Sequence, residues 1–226
     1  DGAPPRKEEK HGTKEKGGVN LCFHRVGIGL SVSIGRAGIP QSRQDQCAGP
    51  SDTFFYGKKI ADEVLKGVKE KVADLHERNI HPLLMTLEIG EDAASRVYLG
   101  SQRRTAERVG IQYETIQLSD GTSQKRLFSV MNNINRDPLI NGLILHVPLP
   151  PHLETKQVQW YIDTRKDVEG VTPYNLGRLF LGVPGLMPCT AQAIVTMIKS
   201  TKVDIRGKEA VVIGQSDIVG KPCAMM

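Results

Sequence analysis

The spacing of apolar and polar residues after residue 56 predicts helices and strands in alternation. In Gly57–Arg78 an apolar residue recurs every three or four positions, which is typical of a helix with one buried face. Leu83–Ile89 is mostly apolar and is predicted to be a buried strand. We expect a second helix over Ser95–Val109, ended by a glycine, and a second strand over Ile111–Leu118, where the polarity alternates.

The same pattern continues once more along the chain. Ser123–Asn135 carries its apolar residues on one helical face, and Leu143–Val147 is a short strand that is apolar except for His146. The order strand, helix, strand, helix, strand predicts a parallel sheet with helical crossovers in an α/β domain.

The last third of the chain predicts a second set of elements. We expect helices at Glu154–Tyr161 and Ala191–Ser200, a loop over Arg165–Pro173 between them, then a strand at Glu209–Ile213. A glycine-containing turn follows that strand, and a helix is expected to start near Val219. In open α/β sheets, a strand, a glycine turn and a helix N-terminus together bind phosphate groups.

Residues 1–53 lack this periodicity, and we expect order to begin near Phe54. Residues 1–17 are charged and polar, as in disordered segments. From Lys16 to Gln44 no acidic residue occurs, while arginines are interspersed with serine and glycine. This segment is either a faint organelle presequence or a disordered leader, and the sequence leaves both interpretations open.

Composition narrows the class of protein. The 226 residues are 39% hydrophobic, too many for a wholly disordered chain. The formal net charge is +5, but the two signs are interspersed, which does not favour nucleic-acid binding. Apolar runs are too short to cross a membrane, and the four cysteines show no spacing typical of metal sites. We therefore expect neither a metal nor a nucleic-acid or membrane partner.

Candidate chemistry is concentrated at four places. Tyr98 and Gln102 are four residues apart and share one helix face; an ordinary half-buried tyrosine is the simpler interpretation. His146 stands before a proline loop and could transfer protons or simply fill the core. Glu169 follows Asp167 in a loop, where carboxylates could hold the NH groups of a heterocycle or be solvated. The turn at Gly214–Pro222 could bind phosphates or only join a strand to a helix.

Taken together, these segments resemble one family. Ser95–Tyr98, GLILHVPLP at Gly142–Pro150, KDVEG at Lys166–Gly170, Pro188–Thr190 and GQSDIVGKP at Gly214–Pro222 occur in the order found in the methylenetetrahydrofolate dehydrogenase/methenyltetrahydrofolate cyclohydrolase family. The resemblance extends from about Tyr56 to Met226. It implies an α/β fold, in which an N-terminal three-layer parallel-sheet substrate domain precedes the start of a Rossmann dinucleotide-binding domain.

This resemblance also implies domains and an activity. Residues 1–53 are a disordered or leader segment, 54–165 the folate-binding catalytic domain, and 166–226 an interdomain segment with the beginning of the NAD(P)-binding domain. Family members oxidise 5,10-methylenetetrahydrofolate with NADP, or in some cases NAD, and hydrolyse the product to 10-formyltetrahydrofolate. They are usually homodimers. The expected compartment is the cytoplasm, or the mitochondrion if the basic segment is a presequence. Because a Rossmann sheet needs more strands, we expect the chain to be a C-terminally truncated fragment, inactive and prone to aggregate on its own.

The resemblance assigns roles to residues of this chain unevenly. Tyr98 matches the family's folate-stacking tyrosine, but Gln102 stands where the family has its catalytic lysine. His146 replaces the glutamine that partners that lysine, and Glu169 replaces an aspartate that holds the pterin. Pro148 lies in the substrate-binding loop. The resemblance assigns cofactor binding to Gly214, Gln215, Ser216, Ile218 and Gly220, with Gln215 where many members have an arginine for the NADP 2′-phosphate.

Gln102 is the departure with the largest expected effect. A neutral amide is no proton-transfer base and supplies no positive charge, so we expect weak or absent cyclohydrolase activity. One hypothesis is that Gln102 and His146 are partners with reversed roles, in which His146 titrates and Gln102 orients it. The alternative is a catalytically decayed homologue that binds folate or a partner subunit.

Overall fold

The computed structural model describes residues 19–25, 28–34, 57–90 and 93–226, in two compact units. One unit combines the segment before Thr53 with residues 204–213; the other comprises residues 53–203 and 214–226. In chain order the elements are β1 (Val19–Arg25), β2 (Ile28–Ile34), α1 (Gly57–Glu77), β3 (Leu83–Ile89), α2 (Ala93–Val109), β4 (Gln112–Leu118), α3 (Gln124–Arg136), β5 (Gly142–Leu145), α4 (Thr155–Trp160), α5 (Pro173–Phe180), α6 (Cys189–Ser200), β6 (Ala210–Ile213) and α7 (Gly220–Met225).

The larger unit contains the predicted parallel sheet. Its strand order is β4-β3-β5, and both pairings are parallel. Leu87 lies at the centre, paired with Ile116 of β4 and Leu145 of β5. Strand β3 is nearly all buried, which explains its almost continuous apolar sequence.

Helices cover both faces of this sheet and make three layers. On one face Met85, Leu87 and Ile89 form a core with Leu127 and Met131 of α3. On the opposite face lies α2, whose Gln102 bonds a side chain of β4. The α/β class and the three-layer arrangement predicted from the sequence are therefore confirmed.

The connections diverge at the carboxyl ends of β3 and β5. Strand β3 continues into α2, on one face of the sheet, whereas β5 continues into α4, whose Val158 packs in the core on the other face. Two adjacent strands whose connections leave on opposite faces open a crevice between them, and ligands of α/β proteins bind in such crevices. The fold thus points to the carboxyl end of β5 as a site.

The smaller unit contains a sheet that the sequence did not predict. Strands β1 and β2 form an antiparallel hairpin, and β2 also pairs antiparallel with β6, with Ser31 opposite Ile213. The expectation that order begins near Phe54 is therefore wrong for these strands. As expected, β6 has no parallel neighbour among the described strands, but one of its edges is covered, because β2 pairs with it. Residues 1–18 and the rest of the basic segment lie outside the described residues.

Two further boundaries differ from expectation. Strand β5 ends at Leu145, so His146 follows the strand instead of lying inside it. Helix α5 was not predicted, although Thr172 caps it by accepting a hydrogen bond from the Asn175 amide, and Pro173 occupies its first turn.

Candidate functional site

His146 is held at the end of the sheet by its backbone. Its N–H donates to the carbonyl of Leu87 at 2.9 Å, which extends the β3–β5 pairing by one residue. The side chain is half-buried. His146 therefore stands at the crevice where the connections of β3 and β5 diverge.

Tyr98 reaches the same place from helix α2. Its ring lies 6.1 Å from the imidazole of His146, centroid to centroid, with 38° between the ring planes. Tyr98 remains 39% exposed, so one part of it faces solvent. The structure thus brings together two of the residues that the sequence singled out, and it leaves an accessible aromatic surface beside them.

Gln102 lies one helical turn after Tyr98 and is half-buried. Its Oε1 accepts a hydrogen bond from the hydroxyl of Tyr113, at 3.2 Å. Tyr113 in turn accepts from the hydroxyl of Thr86, at 2.8 Å, and both of these residues are buried. Sequence reasoning missed Thr86 and Tyr113. The available signal for Thr86 was a hydroxyl residue in the mostly apolar run of β3.

Glu169 lies in a loop organised by its neighbour Asp167. That buried carboxylate accepts from the backbone amides of Val171 (3.1 Å) and Thr172 (2.8 Å), and from the side-chain amide of Asn175 (2.8 Å). Asp167 also forms a parallel bridge with Leu143, so the loop runs alongside β5. Asn175 is another residue that the sequence did not indicate.

Lys166 fixes the start of this loop. Its ammonium donates to the carbonyl of Ile134 at 2.6 Å and also to that of Asp137, at the end of α3. Burial lowers the pKa of Lys166, because it disfavours the charged form. The ammonium of Lys166 thus binds the carbonyl groups at the end of α3 instead of a ligand.

Gly170 allows the chain beyond Glu169 to pass close to another segment. Its φ is 65°, and an added Cβ would lie 2.6 Å from the carbonyl carbon of Met187. The thiol of Cys189 donates to the carbonyl of Val168 at 3.4 Å, next to the half-buried Glu169. Burial, and secondly the charge of Glu169, raises the pKa of this thiol. The loop therefore holds Glu169 beside Cys189 in a fixed backbone.

Pro148 begins the proline loop after β5 and is exposed, while Leu149 and Pro150 are buried. The buried pair anchors the loop to the core. Pro148 is therefore presented at the surface, two residues after His146.

The predicted phosphate turn has a close backbone approach. An added Cβ on Gly220 would lie 2.1 Å from the carbonyl oxygen of Gly214, which has φ of 149°. Ser216 Oγ accepts from the amides of Val219 (3.2 Å) and Gly220 (3.3 Å). Gly214, Gln215 and Ser216 are exposed, and Ile218 is half-buried against the core of the larger unit.

Asp217 carries the charge of this turn. Its carboxylate forms ion pairs with Lys156 of α4, at 2.8 Å, and with Lys221 of α7. Hydrogen bonds from these two lysines lower the pKa of Asp217 to about 2. The turn is thereby tied to α4.

Two kinds of site find no support among the described residues. No group of three or more His, Cys, Asp or Glu side chains there could hold a metal ion. No helix within the described ranges is both long and apolar enough to cross a membrane.

Comparison with known families gives two matches along the chain. Residues 55–169 match the tetrahydrofolate dehydrogenase/cyclohydrolase catalytic domain, and residues 188–226 match the NAD(P)-binding domain of the same family. The first match contains Tyr98, Gln102, His146 and Glu169, and the second contains the turn at Gly214. The two matches follow one another in the order that the sequence motifs predict.

Individual relatives agree with this assignment. The bifunctional protein FolD of Moorella thermoacetica is 43% identical over 170 residues, which cover 75% of this chain and 61% of the relative. FolD methylenetetrahydrofolate dehydrogenase/cyclohydrolase from Campylobacter jejuni is similar in structure, with a TM-score of 0.71 and 31% identity over 75% of this chain and 60% of that one.

A second solved structure is the Trypanosoma brucei N5,N10-methylenetetrahydrofolate dehydrogenase-cyclohydrolase, complexed with NADP cofactor and inhibitor. It has a TM-score of 0.69 and 26% identity, covering 75% of this chain and 58% of that one. The chain therefore spans about three fifths of the length of the proteins that it resembles.

Proposed function

The chain belongs to the tetrahydrofolate dehydrogenase/cyclohydrolase family, and we propose that it provides the folate site of an enzyme that oxidises 5,10-methylenetetrahydrofolate to 5,10-methenyltetrahydrofolate. The substrate is a tetrahydrofolate derivative, and the hydride acceptor is NADP, with NAD as the alternative. Within this proposal, residues 54–165 form the folate-binding domain and 166–226 begin the cofactor-binding part.

The observation that carries the proposal is the position of Tyr98. Its exposed ring stands next to His146, at the crevice beyond the carboxyl end of β5. A flat heterocycle can stack on an exposed aromatic ring, and offset or tilted aromatic pairs are attractive. The pterin of a reduced folate has the shape and the hydrogen-bonding edges that such a site would bind.

Glu169 is proposed to bind the edge of the pterin. A carboxylate accepts hydrogen bonds from ring and amino NH groups, and the Asp167 loop holds the backbone of Glu169 in place. Glutamate is one methylene longer than the family's aspartate, so the ring would sit farther from the loop backbone. Pro148 would border the same ligand.

Gln102 separates the two reactions of the family. Hydride transfer depends chiefly on positioning two bound ligands, and a neutral amide can help to position them. Hydrolysis of the methenyl product needs a group that transfers protons, and an amide does not. We therefore propose a dehydrogenase whose cyclohydrolase step is impaired.

His146 is the residue that could keep some hydrolysis. Gln102 already uses its carbonyl to accept from Tyr113, so its amide NH₂ is the end left for a ligand or for His146. In this arrangement His146 would carry the proton and Gln102 would orient it or the ligand.

The turn from Gly214 to Gly220 is proposed to bind the dinucleotide. Its close backbone approach and its exposed Gln215 and Ser216 fit a phosphate-bearing cofactor, with Gly220 and Ile218 shaping the turn. Bound NADP would supply the nicotinamide that accepts the hydride. Gln215 offers an amide instead of a guanidinium, which weakens preference for the 2′-phosphate of NADP over NAD. A related dehydrogenase-cyclohydrolase was solved with NADP, which favours NADP as the first choice.

Assembly and compartment also belong to the proposal. Homodimers are the usual state of the family, and the mass of the whole protein in solution tests that state. We place the enzyme in the cytoplasm. Mitochondrial import through the basic segment between residues 16 and 44 is the alternative, which microscopy of the tagged whole protein distinguishes.

The proposal is tested by incubating the whole protein with 5,10-methylenetetrahydrofolate and either NADP or NAD, and following reduced nicotinamide at 340 nm. Reduction that depends on the folate supports the dehydrogenase. Tight binding of tetrahydrofolate without reduction of either nucleotide would instead support the alternative, a catalytically decayed homologue. A matched protein with Tyr98→Ala is the control, since it removes the stacking ring.

A further inference from the structure

A chain of three hydrogen-bonding side chains connects the sheet to the folate site. Thr86 of β3, Tyr113 of β4 and Gln102 of α2 lie in sequence, with distances of 2.8 and 3.2 Å between successive polar atoms. Thr86 is fully buried and Tyr113 is 6% exposed, so water competes little for these bonds. None of these bonds forms within one element, so the folded sheet and helix are needed to make them.

The chemistry of the last group fixes the direction of the chain. The carbonyl oxygen of Gln102 can only accept a hydrogen bond, so the Tyr113 hydroxyl must donate its single proton to that oxygen. Tyr113 then has only its lone pairs to offer Thr86, so Thr86 must donate. All three groups are therefore polarised in one direction, from the sheet to Gln102.

The ring of Tyr113 is itself restrained. The guanidinium of Arg103 lies over it, 5.5 Å from the ring centroid, and Arg103 also donates to Thr115 Oγ1 at 3.5 Å. Arg103 directly follows Gln102 in α2, so one helical segment contacts both the ring and the hydroxyl of Tyr113. Burial raises the pKa of the phenol, which keeps the donor proton in place at neutral pH.

We infer that Tyr113, supported by Thr86, is a positioning residue that fixes the carboxamide of Gln102 so that its NH₂ group donates to the bound folate. The inference rests on the proposed function for the identity of the ligand. With its carbonyl engaged by Tyr113, Gln102 offers two N–H donors and no positive charge. It therefore suits a neutral acceptor of the ligand, such as a ring nitrogen or a carbonyl oxygen.

A lysine at position 102 would not replace Gln102 in this series of hydrogen bonds. An ammonium has three donors and no acceptor, so it could accept nothing from Tyr113, and the Tyr113 proton would have to turn toward the hydroxyl of Thr86. Tyr113 and Gln102 are thus a matched donor and acceptor, and the hydroxyl of Thr86 donates to Tyr113 in turn.

The first test needs no ligand and no activity. Tyr113→Phe should shift the side-chain NH₂ signals of Gln102 in ¹H–¹⁵N NMR spectra of the whole protein, because the carbonyl of that amide loses its donor. Tyr161→Phe removes a hydroxyl from a ring that stacks on Phe128, and it should leave those signals in place. Unchanged Gln102 signals in Tyr113→Phe would overturn the inference whether or not the protein binds folate.

The second test measures coupling in the whole protein. Tyr113→Phe should raise KM for 5,10-methylenetetrahydrofolate about 3- to 10-fold, the value of one hydrogen bond, with a smaller change in kcat. In a Gln102→Ala background the same change should have no further effect, since the two residues act as one unit. An equal increase of KM in both backgrounds would overturn the positioning role. A parent that lacks folate-dependent activity would refute the proposed function alone.

Two variants of Thr86 test the same inference if Tyr113→Phe fails to fold. Thr86→Ser keeps the hydroxyl and should retain the parent KM, whereas Thr86→Val removes it and should raise KM in the same direction as Tyr113→Phe. If Thr86→Val and Thr86→Ser had the same KM, Thr86 would have no part in the positioning.

Discussion

The ring of Tyr98 lies 6.1 Å from the imidazole of His146, and the two planes are tilted by 38°. The residues belong to different elements, since Tyr98 is in helix α2 and His146 follows strand β5. Their meeting places an aromatic surface and a titratable ring at the crevice between β3 and β5.

Tyr98→Ala should weaken the binding of tetrahydrofolate about 3- to 10-fold, because an aromatic pair contributes about 0.5–1.5 kcal/mol. Isothermal titration calorimetry under anaerobic conditions measures the Kd. The control is Val97→Ala, because Val97 is the neighbouring residue and is 73% exposed. An equal loss of affinity in both variants would contradict a stacking role for Tyr98.

His146→Ala should remove the pH dependence, in the neutral range, of whatever hydrolysis of 5,10-methenyltetrahydrofolate the whole protein performs. His146 carries the proton in the proposed arrangement, and the amide of Gln102 transfers none. The rate is followed by loss of methenyl absorbance from pH 6 to 8, after subtracting the buffer reaction. His152→Gln is the control, since His152 bonds the carbonyl of Thr122. An unchanged pH profile in His146→Ala would refute the hypothesis that His146 and Gln102 have reversed roles.

Asp167→Ala should reduce the free energy of unfolding by at least about 3 kcal/mol. The buried carboxylate accepts three hydrogen bonds, and each buried donor left without a partner costs about 1–3 kcal/mol. Urea unfolding followed by circular dichroism measures the change. Asp62→Ala, which breaks an exposed pair with Lys58, should cost less than about 0.5 kcal/mol. Similar costs in the two variants would contradict the role of Asp167 in this loop.

Acid should weaken the ion pairs of Asp217 that link the turn at Gly214–Gly220 to α4. The pKa of Asp217 is lowered to about 2 from an ordinary value of 3.8, so its stabilising contribution is complete above about pH 4 and is lost as the pH falls toward 2. The pair is partly exposed, so the contribution is at most about 1 kcal/mol. Carboxyl ¹³C NMR measures the titration. A titration of Asp217 near pH 4 would show that Lys156 and Lys221 do not hold it.

Short-range patterns predicted most of the elements of the larger unit. The apolar run of β3 and the periodicity of α1 and α3 depend only on neighbouring residues, and their bounds agree with the sequence within two residues. Helix α5 was missed because its start depends on Asp167 and Thr172, which are polar residues that become buried only in the folded loop.

The places of the candidate residues in the fold could be predicted, but their hydrogen bonds could not. The four-residue spacing of Tyr98 and Gln102 gave their common helix face, and the chain position of His146 gave the end of the sheet. The bond between Gln102 and Tyr113 could not be predicted, because it depends on how α2 lies over β4. The pairing of β6 with β2 could not be predicted either, since edge pairing depends on strands that are distant in sequence.

We propose that Gln102 makes this site a dehydrogenase with an impaired hydrolysis step. The most direct test compares hydrolysis of 5,10-methenyltetrahydrofolate by the whole protein and by its Gln102→Lys and Gln102→Met variants, with the dehydrogenase rate measured in parallel. We predict that Gln102→Lys hydrolyses the substrate about 10²-fold faster than the parent or more, that Gln102→Met does not, and that hydride transfer changes less. A parent whose hydrolysis equals that of Gln102→Lys would show that Gln102 does not impair this step.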